Sequence, residues 1–317
     1  MRMAQLGYRG ASRRGVWARA GRALRRDRYL YLILLPVVAY FALFKYVPMY
    51  GLVISFMDYS VFRGIGGSEW VGLSNFWSFF QSVYFFRLMR NTLLISVYGL
   101  LFTFPIPIAL ALLFNEMKSG LYKRLAQTIS YLPHFISTVV VVSMLTTMLS
   151  AQNGIFNNAI AALGGERIRF LQEPGMFRTI YIASDAWQSA GWSSIIYLAA
   201  IAGVSPELYE AATIDGAGRL GRALHVTLPS ILPTITILLV MNMGNLLSVG
   251  YEKILLMYNE LTYETADVIS TYVYRKGILD NDYGYSTAVG LFNSGVNLLL
   301  LFAANMLSRK LGEVSLW

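Results

Sequence analysis

The residues of this chain whose types and spacing could do chemistry lie in two places. One set sits inside an apolar run, the other in a short polar loop. The first begins at Asp185 and continues through Gln188, Ser189 and Trp192. Positions three, four and seven residues apart share one face of a helix. A carboxylate, an amide and an indole on one face suit a sugar, because hydroxyls take hydrogen bonds and the sugar ring stacks on the indole. His134 and Thr138, one turn apart, extend the set, as do the amides of Asn242, Asn245, Asn293 and Asn297. Polar groups within lipid are costly and face a bundle interior or a cavity. The other reading is helix-to-helix packing, a contact worth about 0.6 kcal/mol on average in a membrane. Both readings stay open for each residue, with Asp185, well inside its run, weighing toward a path.

The second set is the loop 205–229. Ser205 suits an N-cap and Pro206 the first helical position. Glu207 and Glu210 fall in the first turns, where the helix dipole favours anions. Leu208, Ala211, Ala212 and Ile214 offer a small apolar face. Gly216 and Gly218 then let the chain turn sharply, and Leu228-Pro229 leads into the next apolar run. A short helix across the ends of two membrane helices can dock on a soluble partner and pass tilting to the spans that it joins.

The elements that must position these residues follow from composition. Of 317 residues, 56% are hydrophobic and 14% charged, against about 25% charged in an ordinary soluble domain. A bilayer core needs roughly 20 apolar residues per helix. Six runs qualify: 29–47, 91–114, 125–149, 179–204, 231–249 and 287–307. The spacing predicts an all-α polytopic membrane protein with six transmembrane helices and a short cytoplasmic helix between spans four and five. Pro36, Pro105 and Pro107 predict kinks rather than breaks. The first run continues apolar past Lys45, so that helix is expected to extend beyond the membrane. Domain limits are a basic segment 1–28, a spanning domain 29–308 and a tail 309–317.

Nine Arg fall within residues 1–28. Such a start fits a transit peptide, a nucleic-acid arm or a cytoplasmic anchor; apolar spans follow at once, which favours the anchor and no nucleic-acid partner. With the N-terminus inside, the inner segments hold 16 of the 26 Lys and Arg, and six spans put both termini in the cytoplasm. There is no cysteine and there are only two histidines, His134 and His225, which removes disulfides, thiolate metal sites and cysteine nucleophiles and leaves no visible metal cluster.

Glu210-Ala211-Ala212, with Gly216 six residues after the Glu and Asp215-Gly216-Ala217-Gly218 around it, then Leu228-Pro229, resembles the EAA motif of binding-protein-dependent ABC permeases. Pro48-Met-Tyr-Gly51, Phe56-Met-Asp-Tyr59, Trp70 to Phe76, Asn91-Thr92, Leu132-Pro133 and the closing Ser315-Leu-Trp317 look like the carbohydrate-importer branch, of the maltose-permease type and closer to permeases for oligo- and polysaccharides such as alginate. The resemblance runs from Tyr29 nearly to the end. It implies a multi-pass protein of a bacterial inner membrane, paired with a second homologous permease. It implies a dimer of ATP-binding subunits docked on the loops, with Glu207, Glu210, Ala211, Ala212, Asp215, Gly216 and Gly218 as coupling residues, and an external solute-binding protein that delivers the sugar. The chain has no G-x-x-x-x-G-K-[ST] loop, so it is not expected to be an enzyme; no cofactor is expected on this chain, and ATP and Mg belong to the partner. In maltose-type permeases the sugar site lies on the spans that here carry His134 and Thr138, then Asp185, Gln188, Ser189 and Trp192, then Asn242 and Leu246; Leu246 departs from the polar pattern. The alternative class is an ion-coupled secondary sugar transporter, set apart by its energy source.

Overall fold

The computed structural model describes residues 26–118 and 120–312. The basic segment therefore lies outside the described residues except for its last three, as does the tail beyond 312. In lipid every backbone group must be bonded within its own segment, and these long apolar runs are accordingly helical. Among the described residues, three helices are long and apolar enough to cross a membrane alone: Arg28–Phe56, Phe85–Glu116 and Tyr283–Lys310. Three more candidates are pairs bent at a break: Leu121–Phe135 with Thr138–Met148, Pro174–Ala202 with Pro206–Ile214, and Arg219–Ser230 with Leu232–Met243. Each pair taken as one span gives the six expected.

The residues fall into two units divided between Val53 and Ile54. The first unit holds most of the first span. That helix runs nine residues past the expected end, through a π turn at Ala42–Tyr46 and a 3-10 stretch at Tyr50–Phe56. Pro36 sits inside its α portion, and no residue of its most apolar window is buried.

The second unit opens with a small ribbon in which Met57 pairs with Trp70 and Asp58 with Glu69, antiparallel. Phe56 stacks on Trp70 at 5.6 Å and tilts against Phe76 at 5.5 Å. The second span begins at Phe85, six residues before the expected start. Its π turn at Gly99–Thr103 ends two residues before Pro105, where a missing N–H would otherwise leave one helical turn unpaired.

The third run is not one straight helix. Leu121–Tyr131 passes into a 3-10 turn at Leu132–Phe135, and the chain then bends by 100° before Thr138–Met148. Pro133 ends the first piece, and Ser137 caps the second by accepting from the Val140 amide at 3.4 Å. The fourth span, Pro174–Ala202, is unbroken over 29 residues. It lies so close to the third that a Cβ at Gly191 would come within 1.9 Å of the Ser130 carbonyl oxygen. The fifth span ends at Met243, six residues before the expected limit.

The stretch 252–286 is polar in sequence, yet much of it is buried. Ile254, Ala266, Val268 and Ile269 are fully covered. Ile254, Ala266 and Val268 form a core with Ile95, Val142, Phe177, Tyr181 and Ile182 from three spans, and Ile269 packs in a second core with Phe79, Leu88, Tyr272 and Val289. Several of the stretch's polar residues are buried and paired. Asp267 is fully buried and receives Arg275 at 2.8 Å and Arg87 at 3.1 Å. Burial alone would lower the Arg275 pKa; the hydrogen bond and charge of Asp267 outweigh it and raise the guanidinium above its ordinary value. Asn91 donates to the carbonyls of Glu264 and Asp267, at 3.0 and 2.9 Å, and Thr92 accepts from the Ile269 amide at 3.0 Å. Buried groups of this kind are stable only when so paired.

Candidate substrate cavity and coupling loop

The fourth span carries a row at four-residue spacing: Asp185, Ser189, Ser193 and Tyr197. Such a row runs along one side of a helix. All four line a cavity of about 490 Å³ between spans two, four and five. The second span adds Ser96 and Thr103. The fifth adds Asn242, and the chain just beyond it adds Asn245, Leu246 and Ser248. The lining is thus hydroxyls and amides on an apolar scaffold, with one carboxylate.

Irregular backbone at membrane depth is tolerated where it lines a cavity or is buried in protein, and the segment after Met243 does both. Side chains from other spans hold it. Ser96 donates to the Leu246 carbonyl. The Leu247 amide donates to Asn297 Oδ1 at 2.9 Å, and Asn297 Nδ2 donates to Ser248 Oγ at 2.9 Å. Asn293 Nδ2 reaches the Leu247 carbonyl at 3.4 Å. Asn293 and Asn297 are therefore placed against this turn and outside the cavity wall. Asn242 and Asn245 bond back to carbonyls one turn earlier, at 2.8 and 3.2 Å, and line the cavity.

The remaining sequence candidates lie to one side. Gln188 Nε2 donates to the Ile136 carbonyl at 3.0 Å, in the break of the third span. His134 stacks on Trp192 with rings parallel at 4.8 Å, and Phe135 meets Trp192 edge-on at 5.3 Å. Thr138 opens the helix beyond that break. The four residues read as one face thus divide: Asp185 and Ser189 line the cavity, while Gln188 and Trp192 meet the third span. Consecutive residues point about 100° apart on a helix, so the face is wide enough for two neighbours.

The sequence reading missed Lys253. It lies outside the spans, on the helix Tyr251–Met257, and is buried. Its Nζ is 3.7 Å from Asp185 Oδ1, 3.4 Å from Gln188 Oε1 and 5.7 Å from the centre of the Tyr181 ring. Burial pulls the Lys253 pKa below the ordinary lysine value, and the Asp185 charge opposes that shift. No spacing links a lysine to a carboxylate 68 positions away; Ser193 and Tyr197, by contrast, continue the visible four-residue row.

At the other end of the fourth span the chain turns through 77° into Pro206–Ile214. Ser205 occupies the N-cap position, although its side chain makes no capping bond. The helix ends in a Schellman motif. The Ala217 amide bonds the Ala212 carbonyl at 2.9 Å and the Gly216 amide bonds the Thr213 carbonyl at 3.1 Å, with Gly216 at φ 80°. That left-handed position favours glycine. Glu207, Leu208, Glu210, Ala211, Ile214, Asp215, Gly216 and Gly218 are exposed and Ala212 is half-buried. The helix is tied to the fifth span, because Tyr209 and Thr227 share a 3.0 Å hydrogen bond and Arg222 donates to Thr213 at 3.2 Å. Arg222 also lies 3.9 Å from Glu116, at the end of the second span.

The sequence and the fold are similar to those of known proteins. The polygalacturonan/rhamnogalacturonan transport system permease protein YteP of Bacillus subtilis (strain 168) is 48% identical over 294 residues, covering 93% of this chain and 92% of YteP. Protein LplB of the same organism is 46% identical over 295 residues, covering 93% of each chain. A crystal structure of a bacterial ABC transporter involved in the import of the acidic polysaccharide alginate matches with a TM-score of 0.86 at 46% identity, over 93% of this chain and 99% of that one. A bacterial alginate ABC transporter in complex with an alginate pentasaccharide-bound periplasmic protein matches with the same TM-score at 45% identity. The model of the binding-protein-dependent transport system inner membrane component matches residues 103–313, from the second span through the sixth, and the chain belongs to that family.

Proposed function

We propose that this chain is one of two membrane-spanning subunits of an ATP-driven importer, and that it passes acidic oligo- or polysaccharide fragments across the inner membrane by alternating access. The observation that carries the reading is the cavity, whose polar lining of Asp185, Ser189, Asn242 and Asn245 adjoins the spans that flank the loop helix. Hydroxyl and amide groups match sugar hydroxyls, and an apolar scaffold excludes competing water. The acidic class is supported by the polygalacturonan/rhamnogalacturonan permease and the alginate importer, which this chain resembles at 48% and 46% identity.

In this mechanism a second homologous permease completes the pathway. A dimer of ATP-binding subunits, carrying ATP and Mg, grips the exposed face of Pro206–Ile214. An external binding protein presents the sugar. Glu207, Glu210, Ala211, Ala212, Asp215, Gly216 and Gly218 form the gripped surface. When the ATPases close, the loop helix is drawn with them, and the ties from Tyr209 and Arg222 carry the displacement into spans five and two. Both termini face the cytoplasm. Each step is driven by differential affinity for the two states. His134 and Trp192 offer a stacking surface beside the break in span three; Gln188, Thr138 and Asn293 support the path from behind. The ion-coupled alternative has no support in the family match.

The test is purification of the tagged chain from its host in mild detergent, with mass spectrometry of what accompanies it. A second six-span permease and a P-loop ATPase are the expected companions. A homo-oligomer that lacks any ATPase in several detergents would overturn the importer reading.

A further inference from the structure

Among the described residues that line the cavity, Asp185 is the one acidic or basic side chain. Alone, it would give that wall a negative charge and repel a carboxylated sugar. Lys253 stands behind it. The ammonium lies 3.7 Å from Asp185 Oδ1, and its side chain is 6% exposed against 43% for Asp185. The carboxylate thus faces the open space and the cation does not. Gln188 spends its amide N–H on the Ile136 carbonyl, which leaves its oxygen to accept from Lys253. A lysine this deeply covered is rarely found unpaired, and its attachment here is to the one charged residue of the wall. Ile254 and Met257, on the same short helix, are buried among Tyr181 and Ile182 of the fourth span, so the lysine stem is anchored independently of the sugar.

We propose that Lys253 is the charge-balancing positioning residue of this sugar site. It cancels the Asp185 charge from behind, so that uronate-bearing chains pass while Asp185 still accepts hydrogen bonds from their hydroxyls. The inference rests on the carbohydrate reading above and adds a determinant of substrate charge to it. A mere strut between Tyr251–Met257 and the fourth span would affect all sugars alike; a charge balance affects anionic sugars.

The experiment uses the complete importer in liposomes with its binding protein, and two probes: trigalacturonate and its fully methyl-esterified, neutral counterpart. In Lys253→Met the KM for trigalacturonate rises at least about tenfold through like-charge repulsion, with kcat little changed and the neutral probe within about twofold of wild type. The neutral pair Asp185→Asn/Lys253→Met recovers most of the KM for trigalacturonate, and Lys253→Arg resembles wild type. Should Lys253→Met fail to assemble, Lys253→Gln, which keeps a donor, carries the same comparison. Equal loss for both probes, no change for either, or a double variant no better than the single one would overturn the proposal while leaving the carbohydrate reading intact. A wild-type importer that takes up neither probe would overturn both.

Discussion

Tyr209, in the short helix between spans four and five, shares a hydrogen bond of 3.0 Å with Thr227, which is fully buried near the entrance to span five. The bond joins the exposed loop helix to the chain that leads into span five. Tyr209→Phe keeps the ring and removes the bond, at a cost of about 1 kcal/mol. The expected result is a small drop in melting temperature and more ATP hydrolysed per sugar imported. An unchanged ratio of uptake to hydrolysis would place the tie outside the coupling route.

Gly216 supplies the left-handed turn that ends the same helix. Nothing lies within 4 Å of a Cβ added there, so Gly216→Asp meets no clash, and the unfavourable backbone conformation costs about 1 kcal/mol. The fold and the assembly should survive. Uptake should fall at least about tenfold, equivalent to roughly 1.4 kcal/mol of lost coupling, while ATPase activity persists. Normal uptake would count heavily against transmission through this loop.

Asp185→Ala takes away the carboxylate of the cavity wall and leaves Lys253 buried without its counter-charge. Uptake of sugar should be impaired while the subunits still co-purify. Uptake equal to wild type would assign Asp185 to packing.

Gly191 permits the fourth span to touch the third backbone to backbone. Gly191→Ala would place a methyl carbon 1.9 Å from the Ser130 carbonyl, and over-packing of that severity costs about 3 kcal/mol or more. A sharply reduced yield of folded protein is expected, measured by size-exclusion profile and melting temperature. A normal melt would mean that the two helices can separate freely.

Asp267 lies between Arg87 and Arg275 with its carboxylate fully buried, while the arginines remain partly exposed. Asp267→Asn leaves two cations facing each other, at a cost of about 2–4 kcal/mol after allowance for their access to water. The melting temperature should drop, and Arg87→Met in the same chain should restore part of it. A double variant less stable than Asp267→Asn alone would contradict repulsion as the cause.

The loop helix was legible in the sequence because its signals are local: Pro206 starts it and Gly216 stops it. The apolar runs were legible for the same reason. What escaped the sequence is set by tertiary contacts. Pro133 is compatible with a kink inside a span, and the 100° bend, with Gln188 bonded to the Ile136 carbonyl, shows a true break. Span five ends at Met243 although apolar residues continue, because Ser96, Asn293 and Asn297 supply the bonds that a helix would have made. Lys253 carries no local signal, since its partner lies on another span. Trp192 shares a helical stripe with Asp185, yet His134 claims its ring.

The Leu247 amide, in the turn after Met243, belongs to a fully buried residue and is secured by a single acceptor, Asn297 Oδ1, beside a cavity to which Leu246 and Ser248 contribute. A proton held by one side chain, with no helical neighbours to share its protection, is released whenever that side chain lets go. In deuterated buffer this amide therefore acts as a clock for hydration of the pathway: its labelling rate tracks how often water reaches the turn.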